Sequence, residues 1–112
     1  MRKEAAMKAN PKVYLSCPMS GRSQSEIREA FGNCRASAMR RLRAMGVDTG
    51  AVEVIDPSAF QGKRDWYGWM MYDLRQLRNC DIIVMGLGWS RSRGCRVEKE
   101  MAEAAGLTLF FE

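Results

Sequence analysis

The sequence predicts an α/β fold: one flavodoxin-like (Rossmann-like) three-layer domain around a four-stranded parallel sheet of order 2-1-3-4. Three observations carry this expectation. Short apolar runs rich in β-branched residues alternate along the chain with longer segments of helical periodicity. Residues 81–85, Asp-Ile-Ile-Val-Met, are almost uniformly apolar, as a strand covered on both faces must be. Residues 86–98, rich in Gly, Ser and Arg, join that run to a helical pattern, and open α/β sheets place their ligands at such strand-to-helix loops.

The elements follow in order. A basic stretch, residues 1–11, lacks an apolar signal core and reads as a flexible tail or short helix ahead of Pro11, leaving 12–112 as the domain. Residues 12–16 form strand one, and Cys17 to Arg22 a Pro- and Gly-containing turn. Ser23 or Ser25 caps the first helix, with no capping box assigned. Ile27, Phe31, Cys34, Ala38 and Leu42 make that helix's apolar stripe, and Gly46 stops it. Strand two spans 52–55 and ends at Asp56-Pro57; an irregular connection, 58–65, leads to helix two over 66–78. Strand three, the organising loop, a helix over 97–105 and strand four over 107–111 complete a βαβαβαβ chain. With right-handed crossovers, the loops after strands one and three meet at one crevice, and Tyr14, Ser16 and Glu98 lie at the same sheet end.

Composition narrows the chemistry. The 112 residues suffice for a modest core and invite a partner subunit. No histidine is present, which removes His-based general base catalysis and most familiar zinc sites. Cys17, Cys34, Cys80 and Cys95 show no CxxC spacing, so free thiols and a cytoplasmic setting are expected. No apolar run reaches the ~18 residues of a membrane span. The net charge of +5 includes Arg35, Arg40, Arg41 and Arg43 on helix one. Without interleaved aromatics for base stacking, these read as a solvated face rather than a nucleic-acid surface.

Two carboxylates stand out. Glu98 falls near the first turn of helix three as delimited above, where free N–H groups keep it ionised. It is then either a nucleophile facing the crevice or a plain complement to the helix dipole. Asp73 borders the stripe Trp66, Met70, Leu74, Leu77 on helix two; it either reaches solvent or sits in a polar crevice. Trp66, Tyr67, Trp69 and Tyr72 cannot all face one small core, so some line a pocket or a subunit interface.

Three motifs in chain order carry a resemblance. Tyr14-Leu15-Ser16-Cys17-Pro18-Met19-Ser20-Gly21 is similar to a Tyr-Leu-Ser-Gly-Pro-x-Ser/Thr-Gly strand and loop. Residues 73–81 are similar to an Asp-Leu-x-x-Leu-x-x-x-Asp helix and strand start. Residues 88–102 are similar to Gly-Trp-x-x-Ser-x-Gly-Ala-x-x-Glu-x-x-x-Ala. Together they resemble the nucleoside 2-deoxyribosyltransferase-like family, which includes deoxynucleoside monophosphate N-hydrolases and an uncharacterised phage and bacterial branch. The resemblance implies a nucleoside or nucleotide substrate and no cofactor or metal. It implies Glu98 as nucleophile, Asp73 as the carboxylate that protonates or positions the leaving base, and Tyr14 as the residue orienting Glu98. Substrate contacts are implied for Ser16, Cys17, Pro18, Met19 and Gly21 in the first loop and for Trp89, Ser92 and Gly94 in the second. Ser92 matches a serine of the monophosphate hydrolases, where the nucleoside enzymes carry an acid, so a 5′-phosphate is expected near it. Homodimers or higher homo-oligomers are expected, since related enzymes complete their pockets across subunits. Cys17 departs from the family's glycine.

Other readings use the same residues. Cys17 to Arg22 resembles the phosphate loop of Cys-based phosphatases, one residue short. A silent nucleotide-binding or sensor domain would use both carboxylates only to hold sugar hydroxyls. Cys95, near a helix start and beside Arg93 and Arg96, is either a depressed-pKa thiol or a small buried residue.

Overall fold

The computed structural model describes residues 8–112. Its strands are β1 (Lys12–Ser16), β2 (Glu53–Ile55), β3 (Ile82–Met85) and β4 (Thr108–Phe111); its helices are α1 (Gln24–Ala44), α2 (Trp66–Leu77) and α3 (Arg93–Ala105). All strand pairings are parallel and the order is β2-β1-β3-β4, the order expected. Most of the tail, residues 1–7, lies outside the described residues; residues 8–10 are exposed, whereas Pro11 is fully buried and belongs to the domain.

Strand alternation divides the core into two layers. Val13 and Leu15 of β1 face α1, where they join Phe31, Cys34, Ala38, Leu42, Ile82 and Val84. Tyr14 points to the opposite face, with Ile83, Met85, Leu77, Cys95 and Ala102. Ser16, two residues on, shares that face, so both hydroxyls of β1 are directed at the layer containing α2 and α3. The stripe expected for α1 is the one buried, with Ile27 at its partly exposed end.

Several boundaries differ from the sequence reading. Helix α1 begins with a full capping box: Ser23 Oγ accepts from Glu26 N at 3.1 Å, and Glu26 accepts from Ser23 N at 2.7 Å. The box is the Ser-x-x-Glu run starting at Ser23 rather than at Ser25. Helix α3 starts at Arg93, four residues before the apolar periodicity becomes visible, because Ser92 caps it by accepting from Cys95 N at 3.3 Å. Strands β2 and β4 each start one residue later than expected. On α2 the buried residues are Met70, Asp73 and Leu77, so Asp73 occupies the middle of the inward stripe rather than its border, and Trp66, 37% exposed, is only partly covered.

The ends of β1 and β3 approach closely. Gly86 N donates to Ser16 O at 2.8 Å, and a Cβ on Gly86 would sit 2.7 Å from Cys17 Sγ. A glycine is therefore needed after β3 for the two loops to meet.

Candidate active site

The two inward helix stripes have the same spacing and the same interruption. Met70-Asp73-Leu77 on α2 and Cys95-Glu98-Ala102 on α3 each place a carboxyl between two buried apolar neighbours. Asp73 is 7% exposed and Glu98 6%. Both carboxyls line one cavity of about 380 Å³, within the size range of small-molecule sites.

Glu98 is held from the sheet. Tyr14 Oη donates to Glu98 Oε2 at 2.5 Å, and Ser16 Oγ donates to Glu98 Oε1 at 2.7 Å. Residues more than 80 positions apart thus meet because β1 alternation points both hydroxyls at the middle residue of the α3 stripe. By contrast, Asp73 Oδ1 is buried with no hydrogen-bond partner among the described residues. Such an atom awaits either a proton or a ligand donor.

The electrostatics correct one expectation. With α3 starting at Arg93, Glu98 is its sixth residue and lies beyond the free N–H groups of the first turn. Burial dominates instead and pushes Glu98 up to about 7, against the lowering effect of the Tyr14 and Ser16 hydroxyls; the Asp73 charge raises it further. Burial likewise pushes Asp73 up to about 6. Two carboxyls facing one cavity resist double ionisation, so the pair retains a proton close to neutral pH. Burial raises Glu98 further than Asp73, so the resting protein carries that proton on Glu98; the Tyr14 and Ser16 hydroxyls stabilise the Glu98 carboxylate when the proton passes to Asp73. Burial and then the Glu98 charge hold the Tyr14 phenol well above its usual range, so it remains a donor.

The expected site residues divide cleanly. Cys17, Met19, Asp73, Ser92, Gly94 and Glu98 line the cavity, and Tyr14 and Ser16 reach it through Glu98. Pro18, Gly21 and Trp89 do not line it. Trp89 packs instead on Phe111, with ring centroids 5.9 Å apart, and Lys99 lies over its ring. The Cys17 thiol donates toward Ala30 O at 3.9 Å, and a hydrogen bond with Cys34, then burial, raise its pKa. It is a protonated group turned to the helix backbone. Burial also raises the Cys95 pKa, matching the buried-residue reading.

The sequence reading missed most of the apolar wall. Phe31, Phe60, Trp66, Trp69 and Met70 surround the polar groups, and Ser20, Gln24 and Ser58 add hydrogen-bonding capacity. Ser58 and Phe60 come from the connection after β2, which carries no periodicity to betray its direction. The crowding of aromatics on α2 was the available signal for the rest: Trp66 and Trp69 line the cavity, Tyr72 packs edge-on against Phe60, and Tyr67 is 68% exposed. Arg64 stacks over Trp69 and Tyr72, and Arg93 over Trp66, bracing the wall from outside.

Among the described residues, no group of three or more His, Cys, Asp or Glu is placed to hold a metal, and no helix is long and apolar enough to cross a membrane. Residues 11–111 match the model of the family described as a domain of unknown function (DUF4406), and the chain belongs to that family. No curated protein matches it.

Proposed function

We propose that this family member cleaves the N-glycosidic bond of a (deoxy)nucleoside or its 5′-monophosphate, passing the sugar to water or to a second base. The observation that carries the reading is the unequal carboxyl pair: Glu98 oriented by two hydroxyl donors, and Asp73 with a buried, unpartnered oxygen, in one aromatic-walled cavity. The Glu98 carboxylate attacks the anomeric carbon as the carbon–nitrogen bond breaks. Asp73 gives its proton to the departing base. A glycosyl ester on Glu98 results. Asp73, now a carboxylate, takes a proton from water as the water oxygen attacks the same carbon and frees Glu98. Aromatic and sulfur-bearing side chains suit a planar base; Ser20, Gln24 and Ser58 suit its polar edge and the sugar hydroxyls. The raised, inward-turned Cys17 thiol favours this chemistry over thiolate phosphatase chemistry.

The test is incubation with mixed deoxynucleosides and their monophosphates, with chromatographic detection of free base. Wild type is expected to release base. Glu98→Gln is expected to abolish release and Asp73→Asn to slow it by about 10²–10⁴-fold. Full activity in a folded Glu98→Gln variant removes Glu98 from the mechanism. Tight binding without turnover favours a sensor domain instead.

The exposed Tyr67 and Met71 on α2, beside Trp66 at the cavity wall, support self-association as a homodimer or higher oligomer. Sedimentation at micromolar concentration is expected to give at least a dimer, and a monomer there rules it out.

A further inference from the structure

Ser58 and Phe60 line the cavity from a connection with little regular structure. Residues 60–65 are neither helix nor strand, and 61–65 are exposed. A segment without a backbone ladder keeps one position only through side-chain contacts that outweigh its conformational entropy.

Arg64 supplies such contacts. Its stem passes the first turn of α2, where a Cβ on Gly68 would sit 3.1 Å from Arg64 Cβ. Its guanidinium lies over two rings of that helix, 4.9 Å from the Trp69 centroid and 4.4 Å from the Tyr72 centroid. Arg64 Nη1 also donates back to Gln61 O at 3.2 Å, closing the connection on itself. Tyr72 in turn meets Phe60 edge-on at 4.8 Å and Trp69 at 6.2 Å between ring centroids. One guanidinium thus joins both parts of the aromatic wall: Trp69 from α2 directly, and Phe60 from the connection through Tyr72.

Asp73 is the next residue after Tyr72. Burial raises its pKa, and the Glu98 side chain and then the Arg64 charge act against that rise. The titratable or charged groups interacting with Asp73 are Glu98 on α3, Tyr14 on β1 and Arg64; of these, Arg64 is the cation.

We propose that Arg64 is a positioning residue of the site: it clamps the Phe60 connection onto α2 through Trp69 and Tyr72 and brings a positive charge to the neighbourhood of Asp73. The clamp concerns the shape of the cavity and stands whether or not a glycosidic bond is cleaved; its effect on turnover rests on the glycosidase reading.

The experiment is NMR on the ligand-free protein at low salt, comparing wild type with Arg64→Met, Arg64→Lys and Lys63→Met. Two signals are read: the NOEs between the Phe60 and Tyr72 rings, and the ¹³C titration of the Asp73 carboxyl. Arg64→Met is expected to lose the ring-to-ring NOEs and to move the Asp73 titration upward from about 6. Arg64→Lys is expected to restore the wild-type titration but not the NOEs, since an ammonium has no plane to lay over two rings. Added salt is expected to shrink the titration difference between wild type and Arg64→Met while the wild-type NOEs persist. Lys63→Met, at the exposed neighbouring position, is expected to leave both signals unchanged. Ring NOEs that survive in Arg64→Met overturn the clamp. An Asp73 titration that does not move in Arg64→Met, or that moves equally in Arg64→Lys or Lys63→Met, overturns the electrostatic role. Both signals are read without substrate, so their failure is distinct from an absence of base release, which bears on cleavage alone.

Discussion

Replacing Glu98 by Gln should make the protein more stable at pH 8, and the effect can be measured without knowing the substrate. Burial pushes Glu98 from its ordinary 4.5 up to about 7. At about 1.4 kcal/mol per pH unit, ionising it in the folded protein costs about 3 kcal/mol. Because the folded value lies above the unfolded one, the native state holds the proton through this window, and wild-type stability falls as pH rises from 4.5 to about 7. The Gln amide removes that loss but has one accepting oxygen for the two hydroxyls of Tyr14 and Ser16, which takes back about 1 kcal/mol. The net gain at pH 8 is about 2 kcal/mol, or about 8 °C in Tm for a chain this size. Below pH 4.5, where the acid is already neutral, the variant should lie about 1 kcal/mol beneath wild type. Urea unfolding of both proteins at pH 4, 6 and 8 provides the assay. Wild-type stability that is flat across this range, or a variant no better relative to wild type at pH 8 than at pH 4, would refute the buried, charge-strained carboxylate.

Two further outcomes follow from the same geometry. Tyr14→Phe keeps the fully buried ring but removes a bond that lowers the Glu98 pKa, so the Glu98 titration should move upward by about one to two pH units; an unmoved carboxyl titration by ¹³C NMR would show that the hydroxyl does not hold Glu98. Gly86→Ala should cost about 1–3 kcal/mol through contact with Cys17 Sγ, and adding Cys17→Ala should recover most of it; equal unfolding midpoints for wild type and Gly86→Ala would show that the two loops do not meet tightly.

The architecture was legible because it rests on local periodicities. The continuous apolar run of β3, the short β-branched and aromatic run of β1 and the Phe31-Cys34-Ala38-Leu42 stripe each declare an element within a few residues. Strand order then follows from chain order and crossover handedness. The meeting of Tyr14, Ser16 and Glu98 was also foreseeable, since parallel strands bring the loops after β1 and β3 to one edge.

What the sequence could not decide depended on distance and solvent. The start of α3 was hidden because Arg93 and Arg96 lie on its exposed face, and a cap such as Ser92 is recognised only once the helix behind it is known. That shift of four residues carried Glu98 out of the first turn and replaced an expected ionised carboxylate with one that burial drives toward neutrality. Asp73 could not be separated from a solvent-facing border residue, because a helical wheel gives the angle of a side chain but not what stands opposite. The cavity wall from Phe60 comes from a segment with no pattern shared with the rest of the site. Local sequence determined which faces are apolar; only the packed chain determined which charges were left without water or a partner, and that is what sets the chemistry of the site.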